Sequence, residues 1–213
     1  MAAAVSTALA TPLAPAIAMA DPCPDVQVVF ARGTNEPAGT GGLGQTFVND
    51  LRSRIGERPL AVHAVDYPAS MDFPAGAQGI ADVDTEVRTL AGTCPNARIV
   101  LGGYSQGAAV IGYSLTDQLP PNGAIPQNLV GPLPKNVADR IAAVAFFGKP
   151  SNEFLGSLGL PPITIDSRFA DKTIDQCEPG DFICSGGGNP IAHSLYVVTG
   201  MVDQAADFAA SRL

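Results

Sequence analysis

Five consecutive residues, Gly103-Tyr104-Ser105-Gln106-Gly107, fit the pattern Gly-x-Ser-x-Gly. In a tight strand-to-helix turn this pattern holds a serine out at the end of a sheet. The flanking glycines are needed because side chains there would collide with neighbouring backbone. The helix that follows presents its positive end and favours negative charge developing beside the serine. The chemistry this suggests is acyl transfer through a serine nucleophile. A serine hydroxyl attacks poorly until a base takes its proton, and the base is usually a histidine. The chain has two histidines, His63 and His193. His63 lies within the apolar run Leu60-Ala61-Val62-His63-Ala64-Val65, ahead of the serine, and reads as a packed structural residue. His193 follows the loop Gly186-Gly187-Gly188-Asn189-Pro190, downstream of the serine, and is the expected base.

The acid that orients the imidazole then belongs between Ser105 and His193. Candidates are Asp139, Glu153, Asp166, Asp171, Asp175, Glu178 and Asp181. Asp181 leads because Cys177 and Cys184 bracket it, and a carboxylate on a pinned loop can hold an imidazole in one orientation. Asp175 and Glu178 follow. Two N–H donors are also needed where the oxyanion forms. Gln106, the residue after the serine, supplies one. Thr34, in the turn Arg32-Gly33-Thr34 leaving an earlier strand, is a candidate for the second, though a simple turn hydroxyl is an equal reading of it.

The elements that position these groups alternate. Residues 26–31 form a short apolar, β-branched run that reads as a buried strand. Phe47, Val48, Leu51 and Ile55 fall at helical spacing before Gly56. Residues 60–65 predict a second strand, and Ile80, Val83, Val87 and Leu90 a second helix. Residues 98–103 predict a third strand leading into the serine turn, and residues 108–119 a third helix. A loop rich in proline covers 120–136. Residues 141–147 predict a fourth strand and 173–174 a short fifth. The tail from His193 to Leu213 carries Leu195, Val198, Val202, Ala206 and Phe208 and predicts an amphipathic helix. Strands alternating with helices predict an α/β domain whose parallel sheet is covered on both faces. Leu155, Leu158, Leu160, Ile163, Phe182 and Ile191 are candidates to line an acyl cleft, with core packing expected for about half of them.

Composition bounds the function. The 213 residues suit one domain, and with 46% hydrophobic and 15% charged residues they can bury a substantial core. A formal net charge of −8 argues against nucleic acid as a partner, since phosphate binding needs a positive surface. Two histidines far apart in sequence argue against a metal centre. The four cysteines, Cys23, Cys94, Cys177 and Cys184, have no Cys-x-x-Cys spacing for a zinc site, and an even number points to two disulfides in an exported chain. The short loop favours pairing Cys177 with Cys184, which leaves Cys23 for Cys94. Residues 1–20 hold no charge, are alanine-rich, contain Pro12 and Pro15, and end in Ala18-Met19-Ala20. They read as a secretory signal peptide lacking its basic end rather than a membrane span. Residues 21–213 are then the exported domain.

Three separated signatures together carry a family resemblance. Val29-Phe30-Ala31-Arg32-Gly33-Thr34, the turn Gly102 to Gly107, and Cys177-x-x-Gly180-Asp181-x-x-Cys184 followed by His193 resemble the cutinase family, in particular the exported cutinase-like proteins of mycobacteria. The resemblance spans residues 22–213. It implies an α/β hydrolase with a central, mostly parallel five-stranded sheet flanked by helices on both faces. It implies a secreted, monomeric serine esterase without cofactor or metal, acting on short- to medium-chain acyl esters. Carried over by position, Ser105 is the nucleophile, Asp181 the acid and His193 the base. Thr34 and Gln106 form the oxyanion hole, and the disulfides are Cys23–Cys94 and Cys177–Cys184. A phospholipase or thioesterase on the same site, or a non-catalytic surface protein on the same scaffold, are the alternatives.

Overall fold

The computed structural model describes residues 23–116 and 132–213. The leader reading of residues 1–20, and most of the proline-rich segment, fall outside the described residues. Five strands form one sheet: β1 (Val26–Ala31), β2 (Leu60–Ala64), β3 (Arg98–Tyr104), β4 (Ile141–Phe147) and β5 (Thr173–Gln176). Their order is β2-β1-β3-β4-β5, and every pairing is parallel. The helices are α1 (Gly41–Ile55), α2 (Gly76–Thr93), α3 (Gln106–Ser114), α4 (Lys135–Ala138), α5 (Asn152–Ser157) and α6 (Met201–Ala210).

Parallel strands joined by helical crossovers are covered on both faces, which explains why β1 and β4 are apolar at nearly every position and wholly buried. Alternation along β1 sorts its side chains to opposite layers. Val26, Val28 and Phe30 pack with Phe47 and Leu51 of α1 and Val202 and Ala206 of α6. Val29 and Ala31 pack with Val83 and Val87 of α2 and Ala108 and Ile111 of α3. Phe30, Phe47 and Phe147 meet at centroid separations of 5.8 to 6.4 Å in the first layer, a spacing favourable for aromatic pairs. Both disulfides are present, Cys23–Cys94 tying the start of the domain to the end of α2 and Cys177–Cys184 closing a loop just after β5.

The strand order reverses between β1 and β3. In open α/β sheets ligands bind at that crevice, beyond the carboxyl ends of the strands. Thr34 leaves β1 there and Ser105 leaves β3.

Three elements differ from the sequence expectation. The third helix starts earlier, at Gln106, and ends at Ser114, with Thr116 instead bridged to Ile165. The end of the expected loop 120–136 is helical, since α4 begins at Lys135. The tail is not one helix: a short 3-10 turn at Ala192–Ser194 precedes α6, and Gly200, at φ 79°, separates them. That left-handed conformation interrupts any helix running through it and is the one glycine adopts without strain.

Candidate active site

Ser105 occupies the turn between β3 and α3 with φ 55° and ψ −119°. A non-glycine residue in this region costs on the order of 1–3 kcal/mol and persists only where its surroundings enforce it. The enforcement is visible on both sides. Ser105 N–H donates to Phe147 O of β4 at 2.9 Å. A Cβ on Gly107 would lie 2.0 Å from Ala31 O, and one on Gly103 would lie 2.5 Å from Gly107 O. The serine turn is therefore wedged against the end of β1 at positions where only glycine fits.

His193 stands over the serine with Nε2 2.8 Å from Ser105 Oγ. Its Nδ1 lies 2.7 Å from Asp181 Oδ2. An ionised carboxylate only accepts, which places the ring proton on Nδ1 and leaves Nε2 free to accept from the serine. Tyr104 stacks on the imidazole at 5.1 Å, and its hydroxyl donates to His193 O at 2.6 Å. Burial pushes that phenol up to about 12, so it remains a donor through neutral pH.

Asp181 is fully buried, yet its carboxylate is well supplied with donors. Ile183 N–H reaches Oδ1 at 2.8 Å, and Tyr196 Oη donates to Oδ2 at 2.5 Å, the oxygen that also faces His193. Tyr196 is itself fully buried, accepts from Glu178 N–H at 3.2 Å, and is held well above the ordinary phenol range, first by burial and then by Asp181. Nothing in the sequence pattern singled out Tyr196. It falls in the tail read as an amphipathic helix, and its role depends on a turn that breaks that helix.

The turn after β1 is built as a clamp. Glu36 accepts from Gly33 N–H at 2.6 Å and Gly42 N–H at 2.8 Å. Arg32, 6% exposed, donates to three carbonyls: Glu36, Val65 and Tyr67. Tyr67 Oη returns a hydrogen bond to Arg32 O. This fixes Thr34 opposite the start of α3, where Thr34 Oγ1 donates to Gln106 Oε1 at 3.1 Å and Gln106 Nε2 donates to Ser70 O at 3.1 Å. Because the Gln106 amide nitrogen is engaged by a carbonyl, its oxygen must accept, and the single proton of the Thr34 hydroxyl is committed to it.

The remaining candidates sit elsewhere. His63 lies on β2, separated from β3 by β1, with Nε2 2.6 Å from Asp82 Oδ2 and Nδ1 3.6 Å from Glu86. Asp175 pairs with Lys149 at 3.1 Å, Asp139 with Lys135 and Asp166 with Arg168. The carboxylate of Glu178 keeps one buried oxygen without a hydrogen-bond partner. Among the described residues no group of three or more His, Cys, Asp or Glu could hold a metal ion, and no helix is long and apolar enough to cross a membrane.

A cavity of about 300 Å³ opens beside Ser105 and His193. Its walls are nearly all carbon. Leu155, Leu158, Leu160 and Phe182 line it, while Ile163 is buried against Gly112 and Ile191 is 63% exposed. The opposite wall, from Met71 to Ile80, was not anticipated. Only Ile80 there belongs to a periodic apolar pattern, so composition gave no signal for Met71, Pro74 or Gly76.

Comparison with known proteins converges on one family. A cutinase family model matches residues 22–213. Carboxylesterase Culp1 of Mycobacterium tuberculosis is 48% identical over 217 aligned positions, covering 98% of this chain and 92% of the relative. An acetylxylan esterase structure superposes with a TM-score of 0.75 at 26% identity, over 90% of this chain and 99% of the other. A Trichoderma reesei cutinase solved with a phosphonate inhibitor gives 0.67 at 34% identity, over 90% of this chain and 77% of the other. With its five-stranded α/β-hydrolase sheet, the chain belongs to the cutinase family of carboxylic ester hydrolases.

Proposed function

We propose that Ser105, His193 and Asp181 hydrolyse carboxylic esters through an acyl-serine intermediate. The observation that carries this reading is the continuous relay from Ser105 Oγ to His193 Nε2 and from His193 Nδ1 to Asp181 Oδ2, at 2.8 and 2.7 Å. His193 takes the serine proton as Oγ attacks the ester carbonyl. The backbone N–H groups of Thr34 and Gln106 receive the oxyanion, each worth on the order of 100- to 1000-fold in turnover. The imidazolium, stabilised by Asp181, then protonates the leaving alcohol. Water enters, gives its proton to His193 and releases the acid. The Thr34 hydroxyl, committed to Gln106, serves to aim the residue that supplies the second N–H.

Substrates on this reading are short- to medium-chain acyl esters, in keeping with the apolar cavity. Two disulfides and an uncharged leader ending in a small-x-small sequence support an exported protein, and we infer that it acts as a monomer. The test is Ser105→Ala with a soluble p-nitrophenyl ester, together with a serine-directed phosphonate. Loss of turnover and of labelling, with circular dichroism unchanged, is expected. Undiminished turnover overturns the assignment, and an unlabelled wild-type serine favours a non-catalytic surface protein.

A further inference from the structure

The cavity beside Ser105 is a tapered groove. Its floor is one face of α3: Gln106, Ala109, Val110 and Tyr113 line it at the i, i+3, i+4, i+7 spacing of a single helical face. One wall is the start of α2, with Gly76, Ala77 and Ile80, and the other includes Leu155, Leu160 and Pro161. Small residues stand near the serine and bulky ones at the far end. Tyr113 is 9% exposed, and its hydroxyl donates to Pro161 O at 2.5 Å, which ties the floor to the far wall. The hydroxyl is thereby occupied, and the ring presents carbon to the groove.

Resting on the esterase reading above, we propose that this groove seats the acyl chain of a medium-chain ester and that Tyr113 ends it at about ten carbons. The length follows from helix geometry. Eight residues separate Ser105 from Tyr113, about 12 Å along the helix at ~1.5 Å per residue. An extended chain advances ~1.2 Å per bond, taking a third of the ~3.3–3.6 Å span of an extended residue, so about ten carbons reach the ring. The acyl group is the part assigned to the groove because it stays on Ser105 while the alcohol departs. The departing alcohol needs the proton of His193, whose side chain is 16% exposed and so borders solvent. Each methylene seated in an all-carbon groove should raise kcat/KM about fourfold, the equivalent of about 0.8 kcal/mol.

Two variants act on opposite ends. Tyr113→Ala removes the stop. Gly76→Val narrows the groove near the serine: Gly76 has ordinary helical φ and ψ of −57° and −21°, and its nearest obstacle to a Cβ is Val110 at 3.7 Å, so the added carbons enter the groove without backbone strain. The experiment measures kcat/KM for p-nitrophenyl esters from two to sixteen acyl carbons in wild type and both variants. Alongside it, calorimetry measures binding of free alkanoates of the same lengths to Ser105→Ala, which needs no turnover. Expected are a rise that stops near ten carbons, a stop at least two carbons longer in Tyr113→Ala and one at least two carbons shorter in Gly76→Val. The alkanoate affinities should stop rising at the same length as the wild-type enzyme. Ester turnover with no dependence on length, or a stop that neither variant moves, overturns the groove assignment while leaving the esterase reading intact. Absent turnover with alkanoate affinities that still stop near ten carbons overturns the esterase reading and keeps the groove. Flat alkanoate binding overturns the groove assignment whether or not esters are turned over.

Discussion

Replacing Asp84 by asparagine should stabilise the protein at alkaline pH and leave it nearly unchanged in acid. Asp84 lies on the core face of α2 between Val83 and Val87, 3% exposed. Its Oδ1 has no hydrogen-bond partner among the described residues, and its Oδ2 is 3.8 Å from Arg88, beyond hydrogen-bond reach. Burial pushes this carboxyl up to about 6 from 3.8, with Arg88 opposing the rise. Between those values the folded chain keeps a proton that the unfolded chain has lost. Stability therefore falls as pH rises from about 4 to about 6, and the whole deficit is present above about 7. A shift of about two units at 1.36 kcal/mol each amounts to ~3 kcal/mol. Asparagine has the same shape and no charge, so it removes this deficit, less whatever Arg88 loses in having no carboxylate beside it. A gain of about 1–3 kcal/mol at pH 8 is expected, against a difference within about 0.5 kcal/mol at pH 4. Urea unfolding of both proteins at the two pH values, disulfides intact, measures it. The other carboxylates titrate equally in both proteins and cancel in the difference. An equal difference at both pH values, or a less stable Asp84→Asn protein at pH 8, would refute the reasoning.

Three further outcomes follow from the site. Tyr196→Phe removes a hydrogen bond to a buried carboxylate and should cost roughly 1.5–3 kcal/mol in urea unfolding, with kcat reduced more than KM is raised, because Asp181 is then held by fewer donors. Selective reduction of Cys177–Cys184 should lower esterase activity before near-UV circular dichroism changes, since the seven-residue separation it spans encloses Asp181; simultaneous loss of both signals would count against that order. Gly107→Ala sets a Cβ into the carbonyl oxygens of Ala31 and Arg32 and should cost more than about 1 kcal/mol in stability while abolishing turnover, measured by thermal unfolding and ester hydrolysis.

Much of the frame could be read from the chain. β1, β3 and β4 announce themselves because strands buried on both faces are apolar at successive positions. The adjacency of Ser105 and His193 followed from a motif in its required strand-to-helix context and from having only two histidines to choose between. Asp181 stood out through its bracketing cysteines. What stayed hidden depends on contacts between distant segments. The Glu36 clamp consists of backbone N–H groups accepted by a side chain six residues or fewer away, in a loop with no apolar period. Tyr196 reaches Asp181 only because Gly200 separates the turn at 192–194 from α6. Half of the groove wall comes from Met71 to Gly76, where small and irregular residues carry no periodic signal.

The relay is also spread unevenly along the chain. Ser105 sits near its middle, while His193 is 88 residues later and is aligned by Asp181, at 181, and Tyr196, at 196. A folding intermediate with β1, β3 and β4 already paired would hold the serine in its strained turn and have no base to activate it. Esterase activity therefore reports completion of the last quarter of the fold and not formation of the core. A refolding experiment followed by ester turnover would time the docking of the C-terminal segment, while intrinsic tyrosine fluorescence or far-UV dichroism would time the sheet. The same arrangement keeps a half-folded chain chemically silent until its final disulfide loop is in place.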